Sequence, residues 1–99
     1  MRFVFDIDDT ILYTEIKNGE YILKSRNEEL IKIINKLYMQ GDVIILHTGR
    51  HWNHLENTIR QLRGVNRTAL VLGKPPADKY IDDKAETPER FIDEYRQSL

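Results

Sequence analysis

Apolar positions along the chain fall into two kinds of run that alternate. Phe3-Val4-Phe5 is short and β-prone, while Val43-Ile44-Ile45-Leu46 and Ala69-Leu70-Val71-Leu72 are continuous apolar quartets. Lys79-Tyr80-Ile81 is a shorter fourth stretch of the same kind. Continuous runs of this length predict strands covered on both faces. Helical spacing fills the gaps. Leu30, Ile31, Ile34, Leu37 and Tyr38 form one stripe, opened by a capping box at Ser25 and Glu28 and closed by Gly41. A second helix is predicted from about Trp52 to Arg63, with Leu55, Ile59 and Leu62 inward and Gly64 after it. Thr87-Pro88 supplies an N-cap and a first-turn proline for a last helix, with Phe91, Ile92 and Tyr95 inward. Residues 11–24 break the alternation. Asn18-Gly19 lies between Thr14-Glu15-Ile16 and Glu20-Tyr21-Ile22, which predicts a β-hairpin because both turn positions tolerate positive φ.

Strand, helix, strand, helix, strand, strand, helix predicts an α/β fold. Its sheet is mainly parallel, with right-handed crossovers, helices on both faces and a small hairpin flap after the first strand. At 99 residues the chain has room for a single domain over 1–99. A chain of this size buries about 60–65% of its unfolded surface, which leaves nothing for a cap domain. The formal net charge of −1 argues against a nucleic-acid footprint. There is no cysteine, so disulfides and thiolate metal sites are excluded, which fits a reducing cytoplasm. No apolar run is long enough for a membrane span, and Asp6 interrupts the opening stretch, so no signal peptide is expected.

In open parallel sheets, ligands bind beyond the carboxyl ends of the strands. That rule turns the sequence into a site. Asp6, Asp8 and Asp9 follow the first strand, Thr48 and Gly49 the second, Lys74 the third, and Asp82 with Asp83 the fourth. Carboxylates this crowded repel one another unless a cation sits among them, and oxygen ligands without cysteine suggest Mg²⁺. A phosphomonoester is doubly negative, so an anionic nucleophile needs that charge neutralised. Asp6 is placed for in-line attack, giving an aspartyl-phosphate, with Mg²⁺ held by Asp6 and Asp82. Asp8 is placed to protonate the leaving alkoxide and then activate water. Thr48 and the Gly49 N–H offer hydrogen bonds to phosphoryl oxygens, Lys74 adds a cation, and Arg50 with His51 is placed to contact the leaving group. Asp9 is expected to cap the turn, and Asp83 to reach the ion through water.

Asp6-Ile7-Asp8-Asp9-Thr10 resembles the first motif of the haloacid dehalogenase-like (HAD) phosphohydrolases. Ile45-Leu46-His47-Thr48-Gly49 is similar to their second motif, Lys74 to the lysine of the third, and Ile81-Asp82-Asp83 to the acidic fourth. The resemblance implies a Rossmann-like fold, Mg²⁺ dependence and an aspartyl-phosphate. It implies metal ligands at Asp6, Asp8, Asp82 and Asp83, with Asp8 giving its backbone carbonyl while its side chain does acid–base work. An aspartate at Asp8 is the phosphatase form of the motif. The run from Lys74 to Ala85, with Thr48-Gly49-Arg50, is similar to the short HAD phosphatases of capsular polysaccharide biosynthesis. Those proteins imply a small phosphorylated substrate such as a sugar, polyol or amino-alcohol phosphate. A capless site also implies cover from a second subunit in a homo-oligomer, or a larger substrate.

Three rival readings have specific counter-evidence. His47, His51 and His54 fall within eight residues, but zinc would need all three imidazoles to converge with no nearby acidic ligand. A phospho-accepting signalling module or a non-catalytic interaction module on the same fold is the second reading. The signalling pattern places its acceptor aspartate after a central strand, where this chain has none, and loss of catalysis would normally remove the nucleophile or the lysine. The third is a polynucleotide 3′-phosphatase, which the absence of net positive charge disfavours.

Overall fold

The computed structural model describes residues 1–72, 79–81 and 87–96. Its main sheet holds β1 (Arg2–Asp6), β4 (Val43–Thr48), β5 (Ala69–Leu72) and β6 (Lys79–Ile81), in the order β5-β4-β1-β6. Every neighbouring pair is parallel. All four carboxyl ends therefore share one edge of the sheet. β2 (Leu12–Lys17) and β3 (Glu20–Arg26) form a separate antiparallel hairpin. Its turn is the expected one. Asn18 (φ 53°) and Gly19 (φ 76°) both occupy the left-handed region, and Lys17 pairs with Glu20 across them.

The helices are α1 (Glu28–Met39), α2 (Leu55–Gln61), preceded by a 3₁₀ turn at Trp52–His54, and α3 (Pro88–Arg96). Their placement corrects the expected two-sided arrangement: the described helices pack on one face. Phe91 of α3 meets Phe3 and Phe5 edge-on at centroid distances of 5.9 and 5.3 Å, which fixes α3 on the face those two present. α1 touches both α3 and β4. Asn35 of α1 is bonded to Gly64 and Asn66, just past α2. The physical reason lies in the strand order. β1→β4→β5 steps twice in the same direction, and two right-handed crossovers in one direction place both helices on the same side. β4 records the consequence. Ile44, Leu46 and Thr48 are buried, while Val43 is exposed and Ile45 and His47 are half-buried, so the strand is not sheathed on both faces.

Local signals were mostly sound, with corrections in α1 and α2. The α1 cap is Asn27, whose Oδ1 accepts from the Leu30 N–H at 3.1 Å, and not Ser25. Hairpin pairing keeps Ser25 extended opposite Tyr13, so the helix starts later, and Glu28 instead meets Arg26. At the other end Gly41 (φ 95°) donates to Tyr38 O and Asp42 to Leu37 O, a Schellman closure. Tyr38 of the expected stripe is exposed, and Ile33 is buried in its place. The correction in α2 is its inward face. Leu55 and Ile59 are exposed, and Thr58 and Gln61 are buried with Leu62. α3 starts as expected, with Thr87 Oγ1 accepting from Arg90 N–H at 3.3 Å, and Phe91 and Ile92 are buried.

Phe3, Phe5, Ile34, Leu37, Leu46, Leu62 and Phe91 belong to one apolar cluster joining the sheet to all three helices. Among the described residues no helix is long and apolar enough to cross a membrane. Urea unfolding should report Asn27→Ala as about 1–2 kcal/mol destabilising and Ser25→Ala as under about 0.5. Phe91→Ala should cost about 3–5 kcal/mol.

Candidate active site at the carboxyl edge of the sheet

β1 stops at Asp6, and the chain bends at once. Ile7 N–H still donates to His47 O at 2.9 Å, but the Ile7 carbonyl then accepts from the N–H groups of Ile11 and Leu12 at 3.0 and 2.9 Å. Asp9 sits at the bend with φ 63°, a conformation that aspartate tolerates better than most residues. This tight turn returns the chain into the hairpin and leaves Asp6 and Asp8 at the sheet edge. The register of β1 with β4 sets Asp6 beside His47, and their Oδ1 and Nδ1 atoms lie 3.2 Å apart. The Asp6 side chain keeps 24% of its surface exposed, which makes it accessible from solvent.

Asp8 has a different environment. Its Oδ2 accepts from Thr48 Oγ1 at 3.1 Å, and Arg50 grips both carboxylate oxygens through Nε (3.1 and 3.3 Å) and through a second nitrogen at 2.8 Å. The other terminal nitrogen of Arg50 donates to Thr58 Oγ1 and Gln61 Oε1, both at 3.0 Å. The Arg50 side chain has no exposed surface. A buried guanidinium is tolerated only when its donors are met by oxygens, and here a carboxylate, a hydroxyl and an amide do so. Tyr21 of the hairpin covers its face, with the ring centroid 4.1 Å from the guanidinium carbon.

This network occupies two residues expected at the phosphate. Arg50, expected to bind phosphate or the leaving group, is committed to Asp8 and α2. The Thr48 hydroxyl, expected on a phosphoryl oxygen, donates to Asp8 and accepts from the Arg50 N–H at 3.0 Å. Both residues act on Asp8 in this arrangement. Gly49 lies between them, where its backbone passes without a side chain. The network also explains why α2 turns polar residues inward. Sequence reading missed Tyr21, Thr58 and Gln61. The one signal for the helical pair was their i, i+3 spacing among apolar residues, and only the buried arginine gives it meaning.

Lys74, Asp82 and Asp83 lie outside the described residues, although β5 and β6 end at the same sheet edge as Asp6. Of the expected metal residues, Asp6 and Asp8 are therefore the two that can be placed. Asp6 offers hard oxygen donors of the kind Mg²⁺ takes, whereas the Asp8 carboxylate is already neutralised by Arg50. Among the described residues no group of three or more histidine, aspartate or glutamate side chains is placed to hold a metal ion. The three histidines have separate neighbours. His47 meets Asp6, His51 Nδ1 lies 2.9 Å from Asn53 Oδ1, and the His54 ring stands edge-on to Tyr21. An open groove of about 400 Å³ runs between the hairpin and α2, lined by Tyr21, Leu23, Asn57 and Arg60 among others. It shares Tyr21 and Gln61 with the network, and Asp6, Asp8 and Thr48 are not among its lining residues.

Comparison of the chain with family models, with curated proteins and with solved structures finds no match. The functional reading accordingly rests on the site itself.

The polar inward face of α2 predicts an inverted pattern of sensitivity. Thr58→Val leaves an Arg50 donor unmet and should cost about 1–3 kcal/mol, while exposed Ile59→Gln should stay within about 0.5. Chemical denaturation of the two variants measures the difference.

Proposed function

We propose that the chain is a Mg²⁺-dependent phosphomonoesterase of the HAD phosphohydrolase type, acting through an aspartyl-phosphate on Asp6. The observation that carries this reading is the unequal treatment of two neighbouring carboxylates. Asp6 lies beside His47 at the sheet edge, while Asp8 is gripped through both oxygens by Arg50 and Thr48. Environments this different divide a carboxylate pair into separate roles.

In the proposed reaction an Asp6 oxygen attacks phosphorus, forming the Asp6 O–P bond as the ester O–P bond breaks. Asp8, once it has taken up a proton from solvent, gives that proton to the departing alkoxide. A water then loses a proton to Asp8 and attacks phosphorus, releasing inorganic phosphate and restoring the Asp6 carboxylate. Asp6, the Asp8 backbone, Asp82 and Asp83 would hold Mg²⁺, which would supply positive charge to offset that of the phosphate. Lys74 adds a second cation. Asp8 can serve in both halves because its position does not depend on the substrate: Thr48 and Arg50 fix it from the protein side. A small phosphorylated sugar, polyol or amino-alcohol is the substrate class, with capsule precursors as the pathway suggested by the run Lys74–Ala85. The substrate enters from solvent at an edge that the described residues leave accessible at Asp6.

Phosphate release from a panel of such esters, with nucleotides and 3′-phosphorylated oligonucleotides included, tests the reading. Turnover should need Mg²⁺, stop with EDTA, and fall by roughly a thousandfold or more in Asp6→Asn. Undiminished turnover in that variant would remove Asp6 as nucleophile, and preference for the oligonucleotides would move the enzyme to a polymeric substrate.

A further inference from the structure

The hairpin is joined to Asp8 by a continuous set of contacts. Two residues of β3 make them: Arg26 bonds the backbone carbonyls of Gln61 and Arg63 at 3.2 and 2.7 Å, and Tyr21 is engaged twice. Its ring lies over the Arg50 guanidinium, and its backbone carbonyl accepts from Gln61 Nε2 at 2.9 Å and from Asn57 Nδ2 at 3.2 Å. Gln61 is a two-sided bridge, since the same amide that holds the hairpin through Nε2 holds Arg50 through Oε1. Arg50 in turn carries Asp8. A two-stranded hairpin has little stability by itself, and this one forms its own sheet with no third strand. Its position is therefore set by docking at Tyr21 together with the Arg26 bonds at the end of α2.

We infer that the hairpin is a positioning device for Asp8: docking of Tyr21 closes the face of Arg50 and locks the guanidinium that orients the Asp8 carboxylate. The inference rests on the phosphatase reading for its catalytic consequence, and on geometry alone for the coupling. With the hairpin docked, Arg50 is dry and its donors are fixed. With the hairpin displaced, Gln61 loses one partner, water reaches the guanidinium, and Asp8 is free to rotate about its own side-chain bonds. Tyr21 and Arg50 are positioning residues in this scheme. Neither needs to touch the substrate.

A device acting through proton delivery has a distinctive kinetic signature. A nitrophenyl phosphate expels a stable anion and needs little help from an acid, whereas an alkyl phosphate needs a proton on its leaving oxygen. Tyr21→Ala in the full chain, checked for folding by circular dichroism, should lower kcat for an alkyl phosphate by roughly tenfold or more and for the nitrophenyl ester by less than about threefold, with KM unchanged. Tyr21→Phe keeps the ring and should restore the wild-type ratio of the two substrates. Gln61→Met, which loses both bridging bonds, is the second variant and should behave like Tyr21→Ala. A readout independent of turnover is hydrogen exchange at Arg50 Nε–H, followed by NMR. It should be slow in the wild type and in Tyr21→Phe, and fast in Tyr21→Ala.

Equal losses for both substrates, or an Nε–H that stays protected in Tyr21→Ala and Gln61→Met, would overturn the inference. If the wild type releases phosphate from no ester, the phosphatase reading fails on its own. The link between hairpin and Asp8 is then still decided by the exchange rates.

Discussion

A guanidinium with no exposed surface is the most demanding group in this fold, and much of the surrounding chain is organised to satisfy it. Leaving such a charge unpaired in the interior costs several kcal/mol, a large share of the net stability of a domain this size. Arg50 is met on one edge by Asp8, on the other by Thr58 and Gln61, and over its face by Tyr21. These partners come from the turn after β1, from α2 and from the hairpin. One buried cation thus draws three otherwise separate pieces together beside Asp6. That it does so at the carboxyl edge of a parallel sheet ties the stability of the domain to the geometry of its proposed chemistry.

The same pairing separates the roles of the two acidic residues. An isolated Asp-x-Asp cluster would be a patch of mutual repulsion. Here Arg50 compensates Asp8, while Asp6 faces His47, so the two carboxylates meet different partners. Thr48 contributes by linking Asp8 to the backbone of Arg50 through one hydroxyl. Thr48-Gly49-Arg50, at the end of β4, thus braces the Asp6–Asp8 segment at the end of β1.

Sequence reading recovered what depends on local chemistry. Asn18-Gly19 announced the hairpin turn because few other pairs accept two positive φ angles, and Thr87-Pro88 announced α3 because the cap and the missing N–H suit a first turn. The strands were legible from their apolar runs, and the placement of Asp6 and Asp8 followed from their position at a strand end. What failed depended on partners distant in sequence. Ser25 made a plausible cap until pairing with Tyr13 held it extended. Leu55 and Ile59 looked like the inward face of α2, since apolar spacing normally marks the buried side, yet the buried arginine claimed that side for Thr58 and Gln61. Both-sided helix packing was inferred from the alternation of elements, but the face each helix takes depends on strand order, which the sequence does not display. The pairing of Arg50 with Asp8 was not legible because the two lie far apart in sequence and meet only across the sheet edge.

The account stands or falls on whether Asp6 becomes covalently phosphorylated. The direct measurement is acid quench of an Asp8→Asn variant during reaction with a nitrophenyl phosphate in Mg²⁺, followed by peptide mass spectrometry. Because this ester leaves without an acid while hydrolysis of the intermediate needs a base, the phosphoryl group should accumulate on the peptide bearing Asp6 and be released by hydroxylamine. A variant that turns over ester with no phosphorylated peptide, or with the label on any other residue, would contradict it.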